Sequence, residues 1–379
     1  MQQRTMGKLG HQVSLLGFGA MRLPILDGDS KKIDVPEAIR MIRHGIDQGI
    51  TYVDTAWGYH GGESEPTVGL ALADGYRDRV FLATKNPTWL IQKPEDWEHY
   101  LDQQLERLGT DHIDFYLQHA LSSEGWKKFK EMNLFEQAMK AKAAGKIRHF
   151  GFSFHDKHEV FMDILQAYDW DFCQIQYNYL DTEYQAGMAG LQAAAAKGIP
   201  VIIMEPIRGG SLAANLPAEI SSLLTTANPM RTPVQWAIRW LADQPEVTVV
   251  LSGMSMMQHV EQNLATCSEE ELSIGCMSEA DKAVLTEVSK TWHARIKVDC
   301  TSCEYCMPCP QGVNIPGCFS RYNTAAMFDT WERAKQGYAQ LCTDQHDASL
   351  CIACGACEAA CPQHLPIIEK LAELDKALR

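Results

Sequence analysis

The sequence predicts an α/β protein in two parts: a (β/α)8 barrel of the TIM type over residues 1–285, then a small, mostly α-helical metal-binding domain over residues 286–379. Three observations carry this. Eight short apolar runs alternate with amphipathic segments of helical length, the pattern of βα units around a parallel sheet. Eight repeats in this length favour a closed barrel over an open doubly wound sheet, which would normally carry G-x-G-x-x-G near its first strand; Gly17-Phe-Gly19 lacks the third glycine. The cysteines, finally, are lopsided: of 13, only Cys173 falls within the first 266 residues, Cys267 and Cys276 follow singly, and ten crowd into residues 300–361.

In chain order the strands are predicted over residues 14–19, 50–54, 80–85, 113–119, 148–153, 172–177, 201–205 and 247–251. Helices are predicted over 35–49, 94–108, 134–145, 157–168, 184–198 and 233–243, several of them ended by Gly, which adopts the left-handed turn that stops a helix. Beyond the barrel, residues 321–341 read as a helical spacer with Tyr322, Ala326, Phe328, Trp331 and Ala334 as its apolar or aromatic positions.

With 46% apolar and 22% charged residues the chain has ample material for a buried core. A net charge of −14 disfavours nucleic acid and anionic membranes as partners, since both need clustered Lys and Arg. The polar stretch Met1 to Leu9 has no apolar signal-like region and no run is long enough to span a bilayer, so a cytoplasmic location is expected, with no membrane partner. Without an export signal the cysteine crowding points to a metal site rather than to disulfides.

Two runs form that crowd. The first places Cys300, Cys303, Cys306 and Cys309 two residues apart and ends in Pro310; the second is Cys351, Cys354, Cys357 and Cys361, ending in Pro362. Three thiolates at this pitch can wrap one iron–sulfur cube, while the fourth, redirected by proline, ligates the other cluster of a pair. Two 4Fe–4S clusters are therefore expected, one on Cys300, Cys303, Cys306 and Cys361, the other on Cys309, Cys351, Cys354 and Cys357. The first run has two rather than three residues before its last Cys, which leaves the partner of Cys309 open. Zinc also takes four thiolates, but seldom from four consecutive cysteines at this pitch. Cys318 and Cys342 fit neither run and read as small packed residues. The long helical spacer between the runs resembles α-helical ferredoxin domains more than compact βαβ ones.

In such a barrel the chemistry sits at the C-terminal ends of the strands. There the sequence offers Asp54 and Thr55, Lys85, Gln118 and His119, Ser153, Gln174 to Asn178, and Glu205, with Tyr59 on the loop after Asp54. An acid, a lysine, a histidine and a tyrosine can together make a phenol into a proton donor. The ammonium favours phenolate, the carboxylate keeps the ammonium charged, and the imidazole polarises a carbonyl. The hydride must come from a cofactor.

The phrases Leu16-Gly-Phe-Gly-Ala-Met21, Val53-Asp-Thr-Ala-Trp-Gly-Tyr59, Leu82-Ala-Thr-Lys85, Asp114-Phe-Tyr-Leu-Gln-His119, Gly151-Phe-Ser153 and Gln174-Ile-Gln-Tyr-Asn178 resemble the aldo-keto reductase superfamily over about residues 1–285. The cysteine-rich end makes the chain similar to the branch with a C-terminal two-cluster ferredoxin-type domain. The resemblance implies a catalytic tetrad of Asp54, Tyr59, Lys85 and His119, with Tyr59 as general acid, and a bound NADPH or NADH. It places Ser153 and Gln174 at the nicotinamide carboxamide, Met204 against the ring, and Gly253 and Asn263 on the adenosine-phosphate side. Phe154 stands where the family commonly has Asn, and Met256 and His259 stand where a 2′-phosphate would want a cation. Trp57, Trp89 and Trp126 are offered equally to a substrate pocket or to packing.

The implied function is an NAD(P)H-dependent oxidoreductase that interconverts a small-molecule carbonyl and its alcohol. Nicotinamide passes a hydride and iron–sulfur cubes pass single electrons, so the clusters serve either electron transfer with a partner flavoprotein or ferredoxin, or structure. The alternative is a ligand-binding redox or iron sensor, or an electron-transfer module, without carbonyl turnover.

Overall fold

The computed structural model describes residues 1–300, 302 and 304–379. Its chain divides into two compact units: unit 1 comprises Met1–Leu212 and Thr232–Ala280, unit 2 Ala213–Arg231 and Asp281–Arg379.

Unit 1 opens with an antiparallel pair, β1 (Gln3–Thr5) and β2 (Gln12–Ser14). Eight parallel strands follow: β3 (Leu16–Gly19), β4 (Tyr52–Asp54), β5 (Phe81–Asn86), β6 (Ile113–Leu121), β7 (Ile147–Phe154), β8 (Phe172–Gln176), β9 (Val201–Met204) and β10 (Val247–Gly253). They form a closed barrel in which β10 pairs with both β9 and β3. The eight strands expected from the sequence are these eight, with ends displaced by a few residues. The main difference is at the start, where residues 12–14 leave the barrel to pair with the N-terminus.

Side-chain alternation along each strand separates two apolar layers. Tyr52, Ala83, Phe115, Leu117, Phe172, Ile202, Val249 and Leu251 share one cluster, the barrel interior, with Met6 and Val13 of the N-terminal hairpin. Their strand neighbours, among them Val53, Leu82, Tyr116, Val201 and Val250, join the larger cluster between strands and helices. Full burial of one such side chain stabilises by about 1.5–3 kcal/mol, so both layers favour closure. Gly151 is required by the close approach of β7 and β8: a Cβ there would stand 2.3 Å from the Phe172 carbonyl oxygen.

The helix Val35–Asp47 starts where the Asp34 side chain accepts the Glu37 amide, with Pro36 in its first turn. Pro94–Leu108 ends at left-handed Gly109. Thr232 and Gln235 form a capping box at the head of Pro233–Ala242. Helices over Ser64–Leu72, Ser123–Glu131 and Ala218–Ala227 were not expected from the sequence.

Unit 2 is helical. The spacer expected as one helix over 321–341 is two, Ile315–Phe328 and Trp331–Thr343, broken at Asp329, whose φ of 52° is left-handed. Together with Ile367–Leu378 they bury Phe319, Tyr322, Tyr338, Leu371 and Leu374 in one core. Cys318 is buried in that core and Cys342 packs at its edge. Ala218–Ala227 belongs to this unit, tied by a 2.7 Å bond from Arg295 to Glu219. Among the described residues no helix is long and apolar enough to cross a membrane.

Candidate active site

The alternation that fills the barrel also assembles a polar end. Asp54 lies two residues beyond Tyr52, Lys85 two beyond Ala83, His119 two beyond Leu117, and Gln174 two beyond Phe172, so each follows an interior apolar residue on the same face. Lys85 is fully buried. Its Nζ donates to Asp54 Oδ1 at 2.7 Å, to the Thr55 carbonyl at 2.8 Å and to the Tyr59 hydroxyl at 3.4 Å. The ammonium also lies 5.0 Å from the centre of the Tyr59 ring. Gln174 Nε2 reaches Asp54 Oδ2 at 3.4 Å.

His119 stands against this trio without bonding it, its ring edge-on to Tyr59 at 6.1 Å and 5.1 Å from the Trp89 ring. It is followed by Ala120 at φ 51°, a left-handed residue that re-aims the strand end. The Ala120 amide donates to Ser153 Oγ at 2.7 Å, and Ser153 pairs in register with Gln174. Two buried atoms at this end, His119 Nδ1 and Gln174 Oε1, have no hydrogen-bond partner among the described residues.

The electrostatics follow from burial. Burial disfavours the Lys85 ammonium, but Asp54 and then Tyr59 outweigh it and hold its pKa above the ordinary lysine value. Burial pushes the Asp54 carboxyl up, opposed by Lys85. The Tyr59 phenol is raised, first by burial, although Lys85 pulls it down. The pull of the ammonium on the phenol was expected from the sequence; the larger effect of burial was not. His119 is driven well below the usual histidine value by burial, with the Lys85 charge adding, so its ring is neutral.

The remaining expected residues ring the same strand ends. Met204, half-buried, closes β9, and Gly253 closes β10 opposite Gly19. Asn263 is buried and donates to Ser252 Oγ at 3.0 Å. Phe154 is a core residue, edge-on to Phe161 at 5.2 Å. Of the three tryptophans, Trp126 is buried in an aromatic cluster, Trp89 is 53% exposed beside His119, and Trp57 packs on Tyr100. Arg22 was not among the residues expected from the sequence; its guanidinium pairs with Glu205 at 3.7 Å and its stem would meet a Cβ at Gly253. Its only sequence signal is its place just after the phrase ending in Met21.

Residues 15–284 match the model of the aldo/keto reductase family. The chain belongs to that family. This aldo/keto reductase is 26% identical over 297 residues to the NADP(+) aldo-keto reductase yakc of Schizosaccharomyces pombe, covering 68% of this chain and 84% of that one. It is 25% identical over 343 residues to the NADH-specific methylglyoxal reductase of Escherichia coli, covering 76% of this chain and 99% of that one. Its fold is that of an aldo-keto reductase from Klebsiella pneumoniae solved in complex with NADPH, with a TM-score of 0.61 at 24% identity over 76% of this chain and 96% of that one. Residues 299–365 match a 4Fe-4S dicluster domain, so the reductase carries an iron–sulfur segment behind its barrel.

In unit 2 that segment surrounds two cavities. One is lined by Cys300, Cys306 and Cys361 over a floor of Ile315, Phe319 and Ile367. The other is lined by Cys309, Cys351, Cys354 and Cys357 with Ile315, Ile368 and Leu371. Cys303 lies outside the described residues. Ala353 at φ 56° and Gly355 at φ 76° curl the second run so that its first three cysteines face one cavity, while Cys361, before Pro362, faces the other. Among the described residues no three His, Cys, Asp or Glu side chains converge closely enough to hold a single ion.

Proposed function

We propose that the barrel reduces a small carbonyl compound to its alcohol, or runs the reverse, with NADPH or NADH as coenzyme and Tyr59 as the proton donor. The observation behind this is the Asp54–Lys85–Tyr59 chain of contacts at the strand ends, with Asp54 and Lys85 buried and Tyr59 half-buried. The unpartnered Gln174 Oε1, beside Ser153, suits the amide of a nicotinamide, and Met204 suits its ring; Gly253, Asn263 and Arg22 suit the distal part of a dinucleotide. A bound nicotinamide supplies the hydride. The phenol of Tyr59, held protonated by burial, gives its proton to the alkoxide oxygen, a stronger base. The phenolate left behind faces the Lys85 ammonium, which Asp54 keeps charged and aimed. Neutral His119 donates a hydrogen bond to the same oxygen without adding a charge.

For unit 2 the reading is two 4Fe–4S clusters with crossed ligands: Cys300, Cys303, Cys306 and Cys361 around one, Cys309, Cys351, Cys354 and Cys357 around the other. Around the second cavity four described thiols line the walls without converging on one point, which supports a cluster, where each thiolate takes its own iron, over a single zinc ion. A ferredoxin or flavoprotein partner would exchange electrons with them. Tyr59→Phe tests the barrel reading: turnover should fall about 10²- to 10⁴-fold with coenzyme affinity kept, measured by fluorescence titration on the same sample. Retained turnover refutes it.

A further inference from the structure

Behind Lys85 and His119 lies a second set of polar side chains that the mechanism does not use. Thr84, Asn86 and Gln118 alternate with the catalytic side chains and so face the layer between strands and helices, where apolar residues are the norm; all three are fully buried. Glu65 and Gln104, from the helices Ser64–Leu72 and Pro94–Leu108, are fully buried with them. Their bonds run without interruption. Gln104 Nε2 donates to Glu65, to Thr84 Oγ1 at 3.1 Å and to the Lys85 carbonyl at 3.0 Å. Tyr116 donates to Gln104 Oε1 at 2.6 Å and Asn86 to Tyr116 at 3.0 Å. From there Trp97 bonds Gln118, Gln118 bonds Thr88, and Thr88 donates to the His119 carbonyl at 2.6 Å.

The Glu65 carboxylate is where two arms of this set meet. Its Oε1 accepts from Thr84 Oγ1 at 2.7 Å and from Gln104, both on or against the strand that carries Lys85. Its Oε2 accepts from Arg107 at 3.3 Å, and the Arg107 guanidinium carbon lies over Trp57, 3.6 Å from the ring centre. Trp57 sits two residues before Tyr59. One carboxylate thus holds the lysine with one oxygen and the tyrosine loop with the other.

We propose that Glu65 is a positioning residue that fixes the separation of Tyr59 from Lys85, with Arg107 and Trp57 as the link to the tyrosine. The inference rests on the reading of Tyr59 as proton donor. Among the described residues Arg107 is the one charged group in contact with Glu65, whereas Tyr59 faces Lys85, Asp54, the His119 ring edge-on at 6.1 Å and, farther off, Glu205.

E65Q isolates the loop arm: the amide keeps an oxygen for Thr84 and Gln104 but turns an N–H toward Arg107, donor against donor. Displacing reacting groups by about 1 Å can cost a hundredfold in rate. In the full, iron-loaded chain, E65Q should lower kcat about ten- to hundredfold per folded molecule while the coenzyme Kd changes by less than about threefold. The pH dependence of kcat should move, because the proton affinity of Tyr59 depends on its distance from Lys85. R107M, which cuts the same arm from its half-exposed end, should reproduce these changes, serve if E65Q does not fold, and add little when combined with it. In a Y59F background, E65Q should add nothing. Unchanged kcat per folded molecule and unchanged pH profile in E65Q or R107M, beside a dead Y59F, overturns the inference and leaves the Tyr59 reading standing. An active Y59F overturns both.

Discussion

Replacing Lys85 by Met tests the buried pair at the centre of the site. The ammonium and the Asp54 carboxylate lie 2.7 Å apart with side chains 0% and 4% exposed, so the substitution leaves a carboxylate in the barrel whose one remaining side-chain contact among the described residues is the 3.4 Å one from Gln174. Removing one partner of such a pair costs about 3–5 kcal/mol, most of it the uncompensated buried charge. At about 2–4 °C per kcal/mol for a unit of this size, the barrel transition should fall by about 6–20 °C. The pH dependence carries the sharper test. Without Lys85 the Asp54 carboxyl, already raised by burial, rises further above its unfolded value near ~3.9. A carboxyl with a raised folded-state pKa binds its proton more readily when folded. Its cost is absent below the unfolded pKa and grows as pH rises through the folded one. K85M should therefore lose more stability at about pH 8 than at about pH 5, and D54N/K85M, which leaves no buried charge, should recover most of the loss at both. Melting followed by circular dichroism on iron-loaded protein measures this. A K85M transition within about 2 °C of the parent at pH 8, or a penalty independent of pH, would refute the account.

Three further outcomes follow from the structure. Burial holds the rings of His119, His149 and His155 below the ordinary histidine pKa, so their contribution to stability is complete above the unfolded value near ~6.5 and is lost as pH falls through the folded values; the parent should melt progressively lower from about pH 7 to 5. Under crossed ligation C300S and C361S damage the same cluster, so the double variant should retain roughly four irons and one reduced-cluster resonance signal, whereas ligation within each run would leave neither cluster intact. G151A should destabilise the barrel by about 1–3 kcal/mol or more, because its Cβ would press on the Phe172 backbone; iron content, read on the same protein, should not change.

The barrel was legible because each strand is a short apolar run with turn or helix signals on both sides, and the polar residues that close those runs are the ones the structure gathers. The rule about strand ends offered Asp54, Lys85, His119 and Gln174 among several polar residues, and the family resemblance singled them out. The reach of the site into the helices was not legible. Glu65 lies in a stretch where the sequence suggested no helix, and Gln104 and Arg107 read as polar positions on an amphipathic helix, yet two of the three are wholly enclosed. What distinguishes them is tertiary: a carboxylate shared between two elements leaves no periodic trace. The break at Asp329 was hidden for a similar reason. Residues 321–341 contain no Gly or Pro at that point, and a non-glycine residue in the left-handed region is a local cost that packing of the two helices must meet. The order of burial and charge effects at Tyr59 likewise required knowing how deeply the phenol sits.

The unit that holds the cysteine runs is not a contiguous length of chain. It takes in residues 213–231, made before the last barrel strand, and Ile220 and Leu224 of that excursion are buried in the protein. Its ties are Glu219 to Arg295 and Arg231 to Asp281 at 3.2 Å. A gene fragment ending near residue 285 would therefore keep the helix Ala218–Ala227 without its tie to Arg295, and a fragment beginning there would lack residues 213–231 of its own unit. During synthesis the excursion must wait for the final hundred or so residues before it finds its place. The two parts of this protein can be told apart by their chemistry, yet they cannot be separated with one cut.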